Sequence, residues 1–268
     1  MMILAGLAAA AVLCAAGIAA YAAILQARRP LRALYRARAA EEDFIPAERI
    51  PERFRFFLLQ VEDRFFFEHN GFSKLAIRDA IRLNFKARKV IAGGSTMSQQ
   101  LVKNLYFRFH HNVFRKAAEV IITAAAERKL GKDRILEMYI NIIYFGCGTY
   151  GLTHAARFYF GKEPEELTMN QMFLLACVVN APTRGNPVEY PEVFERLRNK
   201  RVALLIRRGT IPDADAEAIK AHGAACLDEE LRGADEVSRR FSQEVPMVND
   251  RFGPRPDPDK FQIPRKRT

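Results

Sequence analysis

Apolar side chains recur every three or four residues along most of this chain, which is the pattern of helices that bury one face. Glycine or proline separates many of these segments, and no two segments alternate as paired strands do. The sequence therefore predicts an all-α domain. The helical pattern covers residues 54–68, 75–90, 97–107, 114–130, 133–144, 150–160, 168–180 and 191–208.

The first 26 residues carry no charged side chain. About 20 apolar residues span the hydrocarbon core of a bilayer as a helix, so we predict a transmembrane anchor over 1–26 and a connector over 27–50. A cleaved signal peptide is the alternative, because the small residues 15–20 offer a cleavage site. Arginines follow the segment and no Lys or Arg precedes it, so the positive-inside rule alone keeps the main domain in the cytoplasm.

The charge balance narrows the class of partner. The chain has 268 residues, with 42 Lys+Arg against 31 Asp+Glu, a formal net charge of +11. Such a charge predicts an anionic partner, which is nucleic acid, a lipid surface or a phosphorylated substrate. Four cysteines at 14, 147, 177 and 226 have neither disulfide nor metal-site spacing. We place the main domain at 51–225 and a basic, proline-rich tail at 226–268.

Three local patterns carry candidate chemistry. Glu62 lies in one of the most aromatic stretches of the chain, and apolar surroundings make a carboxylate a better proton acceptor at neutral pH. The alternative is a helix whose Glu62, Asp63 and Arg64 form the wet face.

The second pattern is the glycine-rich segment 93–100. Thr96 and Gln99 fit a capping box, and Thr96, Gln100 and Lys103 recur on one helical stripe of donors that suits a phosphate or a sugar. The alternative is an ordinary cap with a solvated polar face.

The third pattern is Glu119 in an otherwise apolar helix. Arg115 and Lys116 lie four and three residues before it, so all three converge on one face. A buried carboxylate is costly unless it is paired or functional, and a structural salt bridge is the alternative.

Together and in this order, these motifs resemble the peptidoglycan glycosyltransferases found at the N-terminus of class A penicillin-binding proteins and as monofunctional transglycosylases. The first motif runs from Glu62 to Gly71, the second from Gly93 to Gln100 with Lys103-Asn104, and the third joins Arg115-Lys116 to Glu119. Further matches lie at 135–141, 151–162, 181–182 and 186–187, so the resemblance covers about residues 50–210.

The resemblance implies a lysozyme-like, two-lobed helical fold in the cytoplasmic (inner) membrane, single-pass, with the catalytic domain on the extracytoplasmic side. It implies polymerisation of lipid II onto a growing glycan strand, with the membrane and cell-wall synthesis proteins as partners and no nucleic acid. The segment 72–92 matches the membrane-associated lobe. By position Glu62 matches the general base and Glu119 the second functional carboxylate, while the substrate-binding positions are Asp63, Phe66, His69, Ser95, Thr96, Gln100, Lys103, Arg115 and Lys116.

We expect no required cofactor and no metal held by protein ligands, although a divalent cation, Mg²⁺ or Mn²⁺, would fit at the diphosphate of the donor. Three positions depart from the family pattern: His111 replaces an Arg, Gln171 a Glu and Ser73 an Asp. We interpret the last two as packing residues. His111 puts the affinity for pyrophosphate, or its pH dependence, in question, and Arg108 is the alternative residue for the missing Arg. No penicillin-binding Ser-x-x-Lys domain follows, so we expect a monofunctional enzyme.

Two other functions remain as alternatives. A lysozyme-like hydrolase or lytic transglycosylase would need a carboxylic acid to protonate a sugar leaving group, and the basic cluster has no purpose there. A non-catalytic membrane scaffold or a nucleic-acid binder would use the positive charge alone. The two carboxylates with donors between them argue against it, and no nucleic-acid motif is visible.

Overall fold

A computed structural model describes residues 2–89, 93–107, 113–183 and 185–221. Within these ranges the secondary structure is helical, with one isolated antiparallel bridge between Tyr144 and Tyr150, so the predicted all-α class is confirmed. The helices are α1 Met2–Arg28, α2 Leu31–Ala39, α3 Glu52–Glu62, α4 Lys74–Ala87, α5 Met97–Tyr106, α6 Val113–Leu130, α7 Lys132–Ile142, α8 Leu152–Phe160, α9 Met169–Asn180, α10 Pro191–Arg207 and α11 Asp213–Ala221.

The core is built around α5 and α9. Helix α5 packs between α6 and α7 and buries Met97, Leu101 and Val102 completely. Helix α9 lies along α3, where Phe57 and Phe173 meet edge to face with ring centroids 5.2 Å apart. Aromatic pairs of this geometry add specific contact to the burial of apolar area. This packing fixes the end of α3 beside α5 and α9.

The first helix ends later than predicted and stays with the domain. Helix α1 is about 40 Å long at 1.5 Å per residue, and it is long and apolar enough to cross a membrane. Its last turns pack on α6, where Lys129 Nζ donates to Gln26 Oε1 at 3.1 Å, and the ring of Tyr21 lies 6.4 Å from that of Phe107.

The segment predicted as a connector contains a helix that is docked on α7. Arg38 of α2 is buried, pairs with both oxygens of Asp43 at 2.6 Å and donates to the Asn141 carbonyl at 3.0 Å. The Asn141 side chain exchanges two 2.8 Å hydrogen bonds with the backbone of Ile45. Glu137 accepts from the backbone of Ala47 at 2.8 Å. Residues 31–47 are therefore folded onto the domain, whereas the predicted boundary at 225/226 lies outside the described residues.

Helix α4 is the most exposed of the domain helices that follow the connector. Only Ala80 is buried, while Phe85 is 88% and Ile81 64% exposed. Ser73 caps the helix by accepting from the Ala76 backbone N–H at 3.1 Å. Gln171, like Ser73, is a position that departs from the family pattern, and it forms the capping box of α9 with Thr168. Ser73 and Gln171 therefore have the structural role expected of them.

The prediction of one helix over 54–68 is wrong at its end. Helix α3 stops at Glu62, and a short 3₁₀ turn follows at Phe66–Glu68. The backbone of Asp63 leaves the helical region at φ −158°. Its carboxylate then reaches the first backbone N–H of α5, from Met97, at 3.0 Å. The end of α3 therefore coincides with a cap on another helix, which the local apolar pattern does not show.

Candidate active site

Glu62 is half-buried at the C-terminal end of α3, and both of its oxygens accept from amide groups. Gln100 Nε2 of α5 donates to Oε2 at 2.9 Å, and Asn180 Nδ2 at the end of α9 donates to Oε1 at 2.8 Å. The aromatic residues around Glu62 in the sequence point largely elsewhere: Phe57 and Phe66 are completely buried. The surroundings of the carboxylate are thus more polar than its sequence neighbours predict.

Each of these amides is held in turn by a further donor. The Tyr139 hydroxyl of α7 donates to Gln100 Oε1 at 3.1 Å, and Arg201 of α10 donates to Asn180 Oδ1. Burial, with Glu62 and Asp63 nearby, raises the pKa of Tyr139 well above its ordinary value. Tyr139 therefore stays a hydroxyl donor through the neutral range.

Asp63 turns away from Glu62 and joins an interior polar network. Both of its oxygens face Nε2 of His69, at 3.0 and 3.1 Å. His69 Nδ1 accepts from the Gly71 backbone at 3.2 Å, which assigns the ring hydrogen to Nε2. Lys132 continues the network, with its ammonium 2.8 Å from Glu127 and 4.2 Å from the centre of the fully buried Phe66 ring.

The glycine-rich segment leads into α5 as a true capping box. Thr96 Oγ1 accepts from Gln99 N at 3.3 Å, and Gln99 Oε1 accepts from Thr96 N at 3.1 Å. The Thr96 hydroxyl is buried and donates to the Gly71 carbonyl at 2.7 Å. Ser95, one residue earlier, is exposed. Gly94 allows close approach to α4, since a Cβ there would lie 2.9 Å from Ile77 Cα.

The stripe predicted on α5 divides among three environments. Thr96 is a buried cap, Gln100 faces Glu62, and Lys103 is exposed. Within the described ranges, the Lys103 side chain makes no hydrogen bond or ion pair, so its ammonium is open to an anion from outside. The spacing of the three residues correctly places them on one side of α5. Which groups each side chain contacts depends on the tertiary fold.

Glu119 is surrounded by cations, as its helical spacing predicts. Its side chain is only 2% exposed; Arg115 Nη1 lies 3.1 Å from Oε2, and Lys116 Nζ pairs with Oε1. Both cations are less buried than the carboxylate they contact, at 17% and 46% exposure. Glu119 therefore holds Arg115 and Lys116 from the interior of the protein, while the exposed side of the Lys116 ammonium is available to a ligand.

The predicted substrate contacts accordingly fall into two groups. Gln100, Lys103, Arg115, Lys116 and Ser95 lie at or near the surface, whereas Asp63, Phe66, His69 and Thr96 have partners inside the protein. Direct substrate contact by the second group stays a prediction, and the geometry gives those four a structural role. His111 and Arg108 lie outside the described residues.

Three residues around Glu62 are absent from the sequence-based site: Tyr139, Asn180 and Arg201. The sequence offers a signal for two of them. Tyr139 lies inside the matched segment 135–141, and Asn180 directly precedes the matched Ala181-Pro182. Asn180 is 118 residues from Glu62, and no local spacing connects two positions so far apart.

The described part of the chain offers no cluster of three His, Cys, Asp or Glu side chains for a metal ion. Glu119, which lies beside the predicted diphosphate contacts Arg115 and Lys116, already pairs with these two cations. The described residues therefore do not form a ligand set for Mg²⁺ or Mn²⁺, and a cation there would depend on oxygens of the substrate.

Comparison with known proteins adds a family match. The family model described as transglycosylase matches residues 28–207. The chain is 36% identical over 177 residues to penicillin-binding protein 1A of Aquifex aeolicus, covering 66% of this chain and 24% of that protein. It is 41% identical over 139 residues to the biosynthetic peptidoglycan transglycosylase of Nitrosomonas eutropha, covering 52% and 57%.

A putative transglycosylase of Cupriavidus necator is 36% identical over 187 residues, which cover 69% of this chain and 79% of that protein. The match to the Aquifex protein, by contrast, spans about a quarter of that protein's length, and the same share holds for penicillin-binding protein 1F of Bacillus subtilis. The shared region includes the connector, because the family match begins at residue 28.

Proposed function

The chain belongs to the transglycosylase family, and from that premise we propose that it is a peptidoglycan glycosyltransferase that polymerises lipid II into glycan strands. Relatives named as a biosynthetic peptidoglycan transglycosylase and as penicillin-binding proteins support this activity. The observation that carries the proposal is the presence of two unlike carboxylates on either side of α5: an accessible Glu62, which contacts Gln100 of α5, and a cation-bound Glu119 on α6, which packs on α5.

In the proposed reaction Glu62 is the general base. It takes the proton from the 4-hydroxyl of the acceptor sugar as that oxygen attacks the anomeric carbon of the donor. A positioned base of this kind contributes about 10²–10⁴-fold to the rate. The half-buried position of Glu62 leaves its carboxylate within reach of a substrate hydroxyl, and the amides of Gln100 and Asn180 hold it in place.

The leaving group is the polyprenyl diphosphate of the donor. It departs as an anion, so it needs stabilisation of charge rather than a proton, and Lys103, Arg115 and Lys116 supply that charge. Each preorganised donor is worth about 3 kcal/mol in the transition state. Glu119 acts through this cluster, because it holds Arg115 and Lys116 at fixed positions on α6.

We further propose that α1 anchors the protein as a single pass in the cytoplasmic membrane, with the domain outside. The arginines after α1 are the argument against this orientation, and one of them, Arg38, is neutralised by Asp43 and Glu41 on the folded domain. Helix α4 supports membrane contact, because basic residues interleave with exposed apolar side chains at Leu75, Ile77, Ile81, Leu83 and Phe85.

The test is polymerisation of lipid II by the purified full chain in detergent, with Glu62→Gln as the variant. The matched control is Glu68→Gln, an exposed carboxylate in the 3₁₀ turn of the same motif. We expect wild type and Glu68→Gln to make glycan at similar rates and Glu62→Gln to lose about 10²–10⁴-fold. No glycan from wild type, or an active Glu62→Gln, would contradict the proposal.

A further inference from the structure

Two amide side chains contact Glu62, and an amide can present either its oxygen or its NH₂ group to a neighbour. With the NH₂ group toward Glu62, each amide donates to a carboxylate oxygen. With the oxygen toward Glu62, it would repel the carboxylate. Residues that orient the Gln100 and Asn180 amides therefore also determine where the Glu62 carboxylate lies and which groups contact its oxygens.

A permanent donor contacts the oxygen end of each amide. Arg201 donates to Asn180 Oδ1 and has no acceptor to offer, so the Asn180 NH₂ group must point the other way, to Glu62. The Tyr139 hydroxyl donates to Gln100 Oε1, and its burial keeps it protonated. Arg201 thus dictates the orientation of Asn180, and the Tyr139 hydroxyl, which can donate or accept, supports that of Gln100 by donating to its oxygen; neither residue touches Glu62.

We propose that Arg201 and Tyr139 are positioning residues for Glu62, acting through Asn180 and Gln100. The inference rests on the proposed function, since it gives Glu62 the role of base. Two donors, one on each oxygen, fix the plane of the carboxylate, while each oxygen keeps a lone pair for the proton of the acceptor hydroxyl. The base is then in position without reorganisation.

The titratable groups around Glu62 determine how the pH profile of the activity is interpreted. Around Glu62 lie Gln100 of α5, Tyr139 of α7, Cys177 and Asn180 of α9, and Arg201 of α10, while the neighbouring Asp63 points into the interior. Burial raises the pKa of the Cys177 thiol to about 12 and that of Tyr139 well above its ordinary value, so both are neutral between pH 5 and pH 8. Neither group therefore changes charge over that range.

The experiment is a cycle of variants, Arg201→Met, Asn180→Ala and the double variant, with kcat/KM for lipid II measured from pH 5 to pH 8. Losing a donor to the charged form moves the acid limb of the profile to higher pH, by about one unit if the hydrogen bond is worth about 1.5 kcal/mol. We expect this shift, with a loss of about tenfold at the acid end, in both single variants. The double variant is expected to match Asn180→Ala alone, because Arg201 acts through Asn180.

Arg201 also donates to the Val61 carbonyl at 3.2 Å, so a purely structural role must be separated. If Arg201 had only a structural role, Arg201→Met would lower the melting temperature in the Asn180→Ala background as well and would leave the pH profile unchanged. Arg201→Lys retains a donor and is expected to recover most of the wild-type profile. Arg196→Met, an exposed position on the same helix, serves as the control.

Tyr139→Phe tests the second arm and keeps the size of the buried ring. We expect the same direction of shift, because Gln100 then loses the partner of its oxygen and holds Glu62 less firmly. The inference would be overturned if the pH profile of kcat/KM stayed unchanged in all single variants, or if the effects of Arg201→Met and Asn180→Ala added up in the double variant. Either result would leave the proposed function standing. An inactive wild type would instead remove the proposed function itself.

Discussion

Glu62 and Glu119 are both glutamates at the candidate active site, and their surroundings differ in two respects. Glu62 is half-buried and contacts two neutral amides, whereas Glu119 is nearly inaccessible and contacts two cations. A carboxylate among neutral donors can take up a proton without breaking an ion pair. One locked between cations cannot, so its use is to hold those cations. The comparison assigns proton transfer to Glu62 and charge placement to Glu119.

Removing the cations tests that assignment with the largest expected effect. The double variant Arg115→Met/Lys116→Met leaves Glu119 buried without partners and removes two donors from the leaving diphosphate. We expect kcat/KM for lipid II to fall by about 10³-fold or more, since one such donor is worth about 10²–10³. Glycan synthesis in detergent measures it. An effect below tenfold would mean that the cations serve only to balance Glu119.

Asp63 sharpens the comparison, because it is the carboxylate next to Glu62 but points into the interior. Asp63→Asn weakens the contacts to His69 and to the first N–H of α5, so we expect a loss of stability of about 1–3 kcal/mol. Thermal or urea unfolding measures the change, with Glu68→Gln as the reference. If Asp63→Asn unfolds like wild type yet loses its activity, Asp63 acts on substrate rather than on the fold.

Lys103 is the smallest perturbation, because it is exposed and its removal breaks no contact within the described ranges. For Lys103→Ala we expect KM for lipid II to rise about tenfold, which is about 1.4 kcal/mol, at an unchanged melting temperature. Lys200→Ala, exposed on α10, is the control. A lower melting temperature with unchanged kinetics would show that Lys103 matters for the fold alone.

The Glu119 cluster could be predicted from the sequence because it lies within one helix. Residues three and four apart share a helical face, so Arg115, Lys116 and Glu119 must meet once α6 forms. The capping box at Thr96 and Gln99 is local in the same way, and both are present.

The surroundings of Glu62 could not be predicted, because they come from four separate helices. Gln100 and Asn180 contact it directly, and Tyr139 and Arg201 act one contact further out, through the packing of α9 on α3, of α5 on α7 and of α10 on α9. The docking of α2 on α7 has the same cause: the bonds between Arg38 and Asn141 span 103 residues. Helical periodicity indicates which face is buried, but not which residues it meets.

The most direct test of the central claim is a side-by-side measurement of kcat and melting temperature for Glu62→Gln and Glu119→Gln. For Glu62→Gln the account predicts a loss of about 10²–10⁴-fold in kcat at nearly unchanged stability. For Glu119→Gln it predicts residual activity and a lower melting temperature, about 2–4 °C for each kcal/mol of lost ion pairing. Equal losses of kcat at unchanged stability in both variants would contradict the division of roles between the two glutamates.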